Sequence, residues 1–105
     1  MAKVFVDARN VLRSRWPNLA EEELVGLAEA WAERHGHEVV LVFDGKAPAG
    51  AIGSGRESAD DWLIREVPKH RGAWLVTSDR ALRAGAGGST ARLVGGGAFL
   101  GELEK

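Results

Sequence analysis

The sequence predicts a three-layer α/β/α fold around a central, mostly parallel sheet of four strands. Three short apolar runs support this class, and they end at Asp7, Asp44 and Asp79. Each run is nearly unbroken, as expected for strands that are covered on both faces. Helical patterns separate the runs, so each strand is followed by a crossover helix, and right-handed crossovers favour the strand order 2-1-3-4. The length predicts one domain over residues 1–105.

The first half of the chain contains the clearest helix. Asn18 with Glu21 three residues later resembles a capping box, and three glutamates in the first turn suit the positive end of the helix dipole. Apolar residues then recur at helical spacing until Gly36, which predicts the stop. The other predicted elements of this half are a strand at Lys3–Val6, a short helix at Asn10–Arg15 broken by Pro17, and a strand at Glu38–Phe43.

The second half is richer in glycine, and its predicted elements are shorter. Gly45–Gly55 contains Pro48 and further glycines, which predicts a loop. Ser58 is a suitable N-cap for a helix that ends before Pro68. The predicted elements are a helix at Ser58–Val67, a strand at Ala73–Thr77, a short helix at Asp79–Ala84, a strand at Ala91–Val94 and a final helical turn or two at Ala98–Leu103.

Composition excludes several classes of protein. The chain has no cysteine, so it forms neither a disulfide framework nor a thiolate metal site. The formal net charge of −1 lacks the basic excess that would by itself indicate nucleic-acid binding. The first residues lack the apolar core of a signal peptide, and no apolar stretch is long enough to cross a bilayer. We therefore expect a cytoplasmic protein without a membrane partner.

The aspartates at the strand ends predict a metal site. Parallel strands have their carboxyl ends at one edge of the sheet, and strand order 2-1-3-4 places Asp7 and Asp79 beside the reversal where such sheets bind ligands. Two carboxylates about 4 Å apart repel by ~4 kcal/mol at an effective dielectric of 20, so several together without arginine partners either raise one another's pKa or require a cation. Oxygen ligands without cysteine suit Mg²⁺ or Mn²⁺. For Asp44, a turn with Gly45 explains the residue equally well.

Acidic residues also begin the helix at Ser58–Val67. Glu57, Asp60 and Asp61 lie within five positions, which is more than favourable interaction with the helix dipole requires. Helical spacing places Glu57 and either Asp60 or Asp61 on one stripe. We therefore expect this helix to contribute acidic side chains to the same site.

Four segments carry a family resemblance, and they are Val4–Asn10, Val42–Asp44, Glu57–Asp60 and Val76–Leu82. Their order, and the types of element between them, resemble the NYN-domain proteins of the YacP-like group within the PIN-like nuclease superfamily. The family usually has glycine after the first aspartate, where this chain has Ala8, and typical members are longer.

The resemblance implies a PIN-like fold and a Mg²⁺- or Mn²⁺-dependent endoribonuclease that hydrolyses single-stranded RNA with metal-activated water. It matches Asp7, Asp60 and Asp79 to the metal-binding catalytic acids, and Asn10 to the asparagine near the first of them. Asp44 and Glu57 match accessory acids that would add to the metal site. A guanidinium is suited to holding a substrate phosphate, and the candidates are Arg9, Arg13, Arg56 and Arg80.

Two other functions stay open from sequence. The same fold could serve as a non-catalytic module that binds RNA, a ribosome or a protein partner. An aspartyl-phosphate enzyme is disfavoured, because no acid adjoins Asp7 and no catalytic lysine accompanies Asp79. A homodimer also stays open.

The tryptophans are assigned mainly to structural roles. Trp16 could stack on a base beside the site, but we favour a role in covering the edge of the domain. The remaining tryptophans, Trp31, Trp62 and Trp74, lie inside periodic segments and are predicted to be core residues.

Overall fold

The fold is a fully parallel five-stranded sheet with helices on both faces. A computed structural model describes residues 1–105. The strands are β1 (Lys3–Asp7), β2 (Glu38–Phe43), β3 (Ile52–Gly53), β4 (Trp74–Val76) and β5 (Arg92–Val94). Their spatial order is β3-β2-β1-β4-β5. The predicted fold class and the order of the four predicted strands are confirmed.

The predicted number of strands was wrong, because the segment assigned to a loop contains β3. Val42 and Phe43 of β2 pair with Ile52 and Gly53 of β3 in parallel register. Both residues of β3 are exposed, and two residues are too few to show a period of two. The sequence therefore has no pattern that distinguishes this short edge strand from a loop.

The helices are α1 (Ala8–Arg13), α2 (Glu21–His35), α3 (Ala59–Glu66), α4 (Arg80–Ala86) and α5 (Gly96–Leu103), with 3-10 turns at Val67–Lys69 and Gly87–Ser89. The start of α1 differs from the prediction, because α1 follows β1 without a linker. Ser58 caps α3 as predicted: its hydroxyl oxygen accepts a hydrogen bond of 3.0 Å from the Asp61 N–H. None of the five helices is long and apolar enough to span a lipid bilayer.

The capping box predicted at Asn18 was wrong. The residue before α2 is Ala20, and the Glu23 carboxylate accepts a hydrogen bond of 3.3 Å from the Ala20 N–H. Asn18 instead donates from its side-chain amide to the Leu12 carbonyl at 2.9 Å. It therefore ties the α1–α2 connection to the last turn of α1.

Alternate strand residues enter two cores, one on each face of the sheet. Val4 and Val6 belong to the larger core, which α1, α2 and α5 cover. Phe5 belongs to the smaller core, which α3 and α4 cover. Trp31 is buried in the larger core as predicted, whereas Trp62 and Trp74 are half-buried at the margins of the two cores.

Candidate active site

The alternation of side chains along the strands directs three polar residues to one face of the sheet. Side chains two residues apart along a strand lie on the same face of the sheet. Asp7 therefore lies on the same face as Phe5. By the same alternation, Asp44 shares the face of Val42 and Thr77 shares the face of Leu75. The face they share is the one that α3 and α4 cover. Because β1, β2 and β4 are neighbours, the three side chains meet beyond the carboxyl end of the sheet.

A cavity of about 200 Å³ lies at this edge, and all its lining residues are polar. They are Asp7, Arg9, Asn10, Arg13, Asp44, Ser58, Asp60 and Asp79. Four carboxylates and two guanidinium groups therefore share one small space. Glu57, Arg56 and Arg80, which were also predicted for the site, do not line this cavity.

Asp7 is the most buried of the four acids, with 6% of its surface exposed. The Thr77 hydroxyl donates a hydrogen bond of 2.9 Å to Asp7 Oδ2. Burial is the largest influence on the Asp7 carboxyl and raises its pKa above the ordinary value of 3.8, and the negative charges of Asp60 and Asp44 add to this. The Thr77 hydroxyl and the Asn10 backbone N–H oppose the increase.

Asp60 lies on the first turn of α3 and faces the same cavity. Burial raises its pKa above the ordinary value, and repulsion from Asp79, Asp44 and Asp61 adds to the increase. No cationic side chain lies within 4.0 Å of Asp7, Asp60 or Asp79, and the one ion pair in the cavity joins Arg9 Nε to Asp44 Oδ2 at 3.5 Å. The negative charge of this cavity is therefore only partly neutralised by the protein.

Asp44 and Asp79 also stabilise helix starts. Asp44 Oδ1 accepts a hydrogen bond of 2.8 Å from the Ala59 N–H, the first of α3. Asp79 is the N-cap of α4, and its Oδ1 accepts a hydrogen bond of 2.9 Å from the Leu82 N–H. Each interaction satisfies a backbone donor that the helix itself leaves unpaired. The second carboxylate oxygen of Asp79 has no hydrogen bond, so it is the oxygen free to bind a ligand.

Asn10 is held in a fixed orientation by the loop after β4. Its side-chain oxygen accepts a hydrogen bond of 2.9 Å from the Ser78 N–H. The Ser78 hydroxyl oxygen in turn accepts one of 2.9 Å from the Gly96 N–H, which joins the start of α5 to this loop. A Cβ at Gly96 would overlap Asn10 Oδ1. With the oxygen of Asn10 engaged, its amide NH₂ is the group left to donate a hydrogen bond.

Sequence reasoning did not identify Thr77 and Ser78, whose hydrogen bonds position other residues of this site. Thr77 is fully buried, and its hydroxyl oxygen also accepts a hydrogen bond of 3.1 Å from the Asp79 N–H. Thr77 thus contacts two of the four acids directly. A signal was present, since two hydroxyl residues separate an apolar strand from an aspartate, but it does not reveal which side chain they contact.

Glu57 differs from the other predicted metal ligands because its carboxylate is paired with Arg65. Both of its carboxylate oxygens accept hydrogen bonds from Arg65 Nη1, and the bond to Oε2 is 2.7 Å long. Arg56 and Arg80 are exposed and do not line the cavity. Of the four predicted arginines, Arg9 and Arg13 are the two that the fold brings to the acids.

The donor chemistry of the cavity fits a hard divalent cation. Its acids offer oxygen ligands alone, the preference of Mg²⁺ and Mn²⁺. In the positions that the side chains occupy, no three acidic or histidine residues are close enough together to hold one ion. Mg²⁺ commonly retains several waters and binds one or two carboxylates directly, so a compact cage of three acids is not required.

Fold and site together define the class of protein: an α/β/α domain of YacP-like fold with an acidic cavity at the topological switch point. Two solved structures of Rae1 (YacP) from Bacillus subtilis are similar to this chain. One is a point mutant, with a TM-score of 0.79 and 20% identity to this chain. The matched region covers 99% of this chain and 76% of the Rae1 chain. The other has a TM-score of 0.75 and 18% identity, and its matched region covers 99% of this chain and 74% of the Rae1 chain.

Sequence comparison alone gives no such match. No protein-family model matches the chain, and no curated protein has a significant match to it. At 18–20% identity the structural likeness establishes the fold. The YacP-like fold that the four sequence segments predicted is therefore confirmed, and the chemistry has to be argued from the cavity.

Proposed function

We propose that this protein is a metal-dependent endoribonuclease that hydrolyses single-stranded RNA with Mg²⁺ or Mn²⁺. The observation that carries the proposal is the cavity in which Asp7, Asp60 and Asp79 converge without a cationic partner. Carboxylates that repel one another, at the ligand-binding edge of a YacP-like fold, are suited to a divalent cation. RNA is the substrate class that the sequence resemblance implies.

Asp7, Asp60 and Asp79 would hold the metal, with Asp44 beside them. Bound there, a divalent ion would supply activation of a water molecule and stabilisation of the charge that develops on a phosphodiester. Thr77 orients the Asp7 carboxylate through its hydrogen bond. Because burial and repulsion raise the pKa of Asp7 and Asp60, the ionised forms that bind metal are lost at a higher pH than for ordinary aspartates. We therefore expect activity to fall on acidification.

The substrate would be held by the arginines and by Asn10. Arg9 and Arg13 lie one helical turn apart on α1, and both line the cavity. A guanidinium forms paired hydrogen bonds with phosphate, so these residues can hold the backbone of the nucleic acid beside the acids. The pairing with Asp44 keeps Arg9 directed into the cavity. The free NH₂ of Asn10 is placed to donate to a phosphate oxygen.

The proposal is tested by cleavage of an end-labelled, unstructured RNA with Mn²⁺ or Mg²⁺. We expect the wild type to cleave, and both EDTA and the Asp7→Asn substitution to abolish the reaction. Glu57→Gln is the matched control, because Glu57 is an acid near the site whose carboxylate is paired with Arg65. A cleavage rate that survives chelation, or that Asp7→Asn leaves unchanged, contradicts the mechanism.

A second candidate function is a non-catalytic module that binds RNA, a ribosome or a protein partner. It is favoured by the absence of three acids close enough to hold one ion, and by the capping roles of Asp44 and Asp79. Calorimetric titration with Mn²⁺ separates the two candidates. A nuclease should bind the ion, whereas a module that has lost the reaction should release no heat beyond dilution.

A further inference from the structure

Trp16 is a large aromatic residue that the proposed reaction does not use. Its side chain is 87% exposed, the greatest exposure of any large hydrophobic residue after Met1. The prediction that it covers the edge of the domain was wrong, because a covering tryptophan would be largely buried. An exposed indole leaves a large flat apolar surface available for contact with a ligand.

The segment that carries Trp16 is anchored on both sides. Before it, the Ser14 hydroxyl donates to the Val11 carbonyl, and Arg15 forms an ion pair with Glu104. After it, the Asn18 side chain donates to the Leu12 carbonyl at 2.9 Å. These contacts hold the backbone of the segment against α1 and the end of α5, so the structure presents the indole to solvent from a fixed support.

A second polar cavity connects this segment to the acidic cavity. It has a volume of about 290 Å³ and is lined by Arg9, Leu12, Arg13, Asn18 and Glu21. Arg9 and Arg13 line both cavities, so the two cavities adjoin at these side chains and mark out a path along α1. Asn18, in the wall of the second cavity, lies only two residues from Trp16 in the chain.

The charges along this path suit a nucleic-acid strand. Arg9 and Arg13 can hold phosphates between the two cavities. Glu21 disfavours a phosphate in the second cavity, but its carboxylate can accept hydrogen bonds from a ribose hydroxyl or a base amine. Beyond that cavity, an exposed indole offers a flat surface on which an unpaired base can stack.

We propose that Trp16 stacks on an unpaired base of the bound RNA, a few nucleotides from the phosphate in the acidic cavity. The inference rests on the proposed function for the location of the cleaved bond. It extends that function by assigning a base-binding residue, and it gives a physical reason for the preference for single-stranded substrate. A base in a duplex is stacked on its neighbours and is not free to engage the indole.

The first test measures binding of a fluorescent, unstructured RNA by anisotropy in EDTA, where no metal-dependent cleavage occurs. Trp16→Ala should weaken binding about 5- to 150-fold, the effect expected for the loss of one stacked base. Trp16→Phe should restore most of the affinity because it retains an aromatic face. Leu93→Ala removes another exposed apolar residue, 40% exposed on the edge strand β5, and should leave affinity unchanged.

The second test identifies the base. A single abasic nucleotide is moved along the RNA, and binding is measured with wild type and with Trp16→Ala. At one position the abasic site should weaken wild-type binding as much as Trp16→Ala does, and it should cause no further loss in the variant. Equal affinity of Trp16→Ala and wild type, as expected if Trp16 contacts a protein instead, overturns the inference. So does an abasic penalty that is fully additive at every position.

These tests fail independently of the proposed function. Because binding is measured without metal, a wild type that binds RNA through Trp16 but does not cleave it contradicts the nuclease proposal alone. Equal cleavage of subsaturating RNA by wild type and by Trp16→Ala contradicts the stacking inference alone.

Discussion

The two edges of the sheet carry cavities of similar size but different chemistry. At the carboxyl edge, a cavity of about 200 Å³ is lined entirely by polar residues, four of them aspartates. At the amino edge, where β2, β4 and β5 begin, a cavity of about 290 Å³ is lined mainly by aromatic and basic side chains. The lining residues include Trp31, His37, Trp74, Arg92 and Phe99, together with the acidic Glu102.

The charged groups at the amino edge have partners within the protein. Glu102 pairs with Lys105 at 2.8 Å, and the Arg92 guanidinium lies 4.8 Å from the centre of the Trp74 ring. The Nδ1 atom of His37 accepts a hydrogen bond of 3.0 Å from the Ala2 N–H. At the carboxyl edge, three acids lack any cationic partner. Local electrostatic conflict of this kind is expected at functional sites, so the comparison identifies the carboxyl edge as the place where a cation would stabilise the fold.

The largest expected difference between the edges is in cleavage. Asp60→Asn removes a charge from the carboxyl edge, and Glu102→Gln removes one from the amino edge. Loss of a metal ligand should lower the cleavage rate by at least about 100-fold, since even residues that only support such ligands contribute about 10- to 100-fold. Glu102→Gln should cleave at the wild-type rate in the same assay. Equal losses in both variants would mean that the two edges do not differ in function.

A pair of glycine substitutions tests the framework of the carboxyl edge without changing its charge. A Cβ at Gly96 would overlap the Asn10 side chain and lie 3.1 Å from the Asn10 carbonyl oxygen. Gly96→Ala should therefore lower the free energy of unfolding by about 1–3 kcal/mol in urea denaturation. Gly97→Ala, where the nearest atom is Ser14 Cβ at 3.7 Å, should be neutral or stabilising by up to about 1 kcal/mol. Similar losses in both variants would show that the Asn10 contact is not the cause.

Thr77→Val tests whether the buried hydroxyl supports Asp7. The substitution leaves a buried carboxylate oxygen without its donor, which should cost about 1–3 kcal/mol of stability. It should also raise the pKa of Asp7 further, because the hydroxyl lowers that pKa in the wild type. The acidic limb of the pH–rate profile should then move to higher pH, while Thr77→Ser, which keeps the hydroxyl, should retain the wild-type profile. An unmoved limb in Thr77→Val would assign the hydroxyl a structural role only.

The smallest expected effects distinguish the edges by their response to pH in the metal-free protein. Folding raises the pKa of Asp7, so the folded state binds the proton more tightly than the unfolded chain. Its favourable contribution is full below the unfolded value of 3.8 and is lost as pH rises through the folded pKa. Asp7→Asn should therefore be more stable than wild type at neutral pH, with a difference that disappears on acidification below 3.8.

The amino edge should respond in the opposite direction. Burial, then the charge of the chain N-terminus and then His35, lower the pKa of His37 from its ordinary 6.5. Its contribution to stability is present above 6.5 and is lost as pH falls through the folded pKa. Urea denaturation across this range should show a loss of stability in wild type that is smaller in His37→Asn. Identical pH profiles for the two proteins would contradict a shifted His37.

The sequence contained most of the architecture, and physical reasons explain the exceptions. Apolar runs of three or more residues predicted β1, β2 and β4, because a strand buried on both faces must be apolar throughout. The convergence of Asp7 and Asp79 followed from the parallel direction of β1 and β4. β3 could not be predicted, since two exposed residues have no hydrophobic pattern.

Side-chain partners were the part of the site that the sequence could not supply. The pairing of Glu57 with Arg65 joins residues eight positions apart, outside the usual helical spacing for ion pairs. The contact from Thr77 to Asp7 spans 70 positions and depends on strand register. The capping role of Asp79 follows from where α4 begins, which the sequence located only within a residue.

The most direct test of the central claim is calorimetric titration of Mn²⁺ into the metal-free protein. If the acids of the carboxyl edge together form a cation site, the wild type should bind Mn²⁺ and Asp60→Asn should lose most of that affinity. Glu57→Gln should bind as the wild type does, because Arg65 already neutralises that carboxylate. Absence of binding by the wild type, or undiminished binding by Asp60→Asn, would contradict the account.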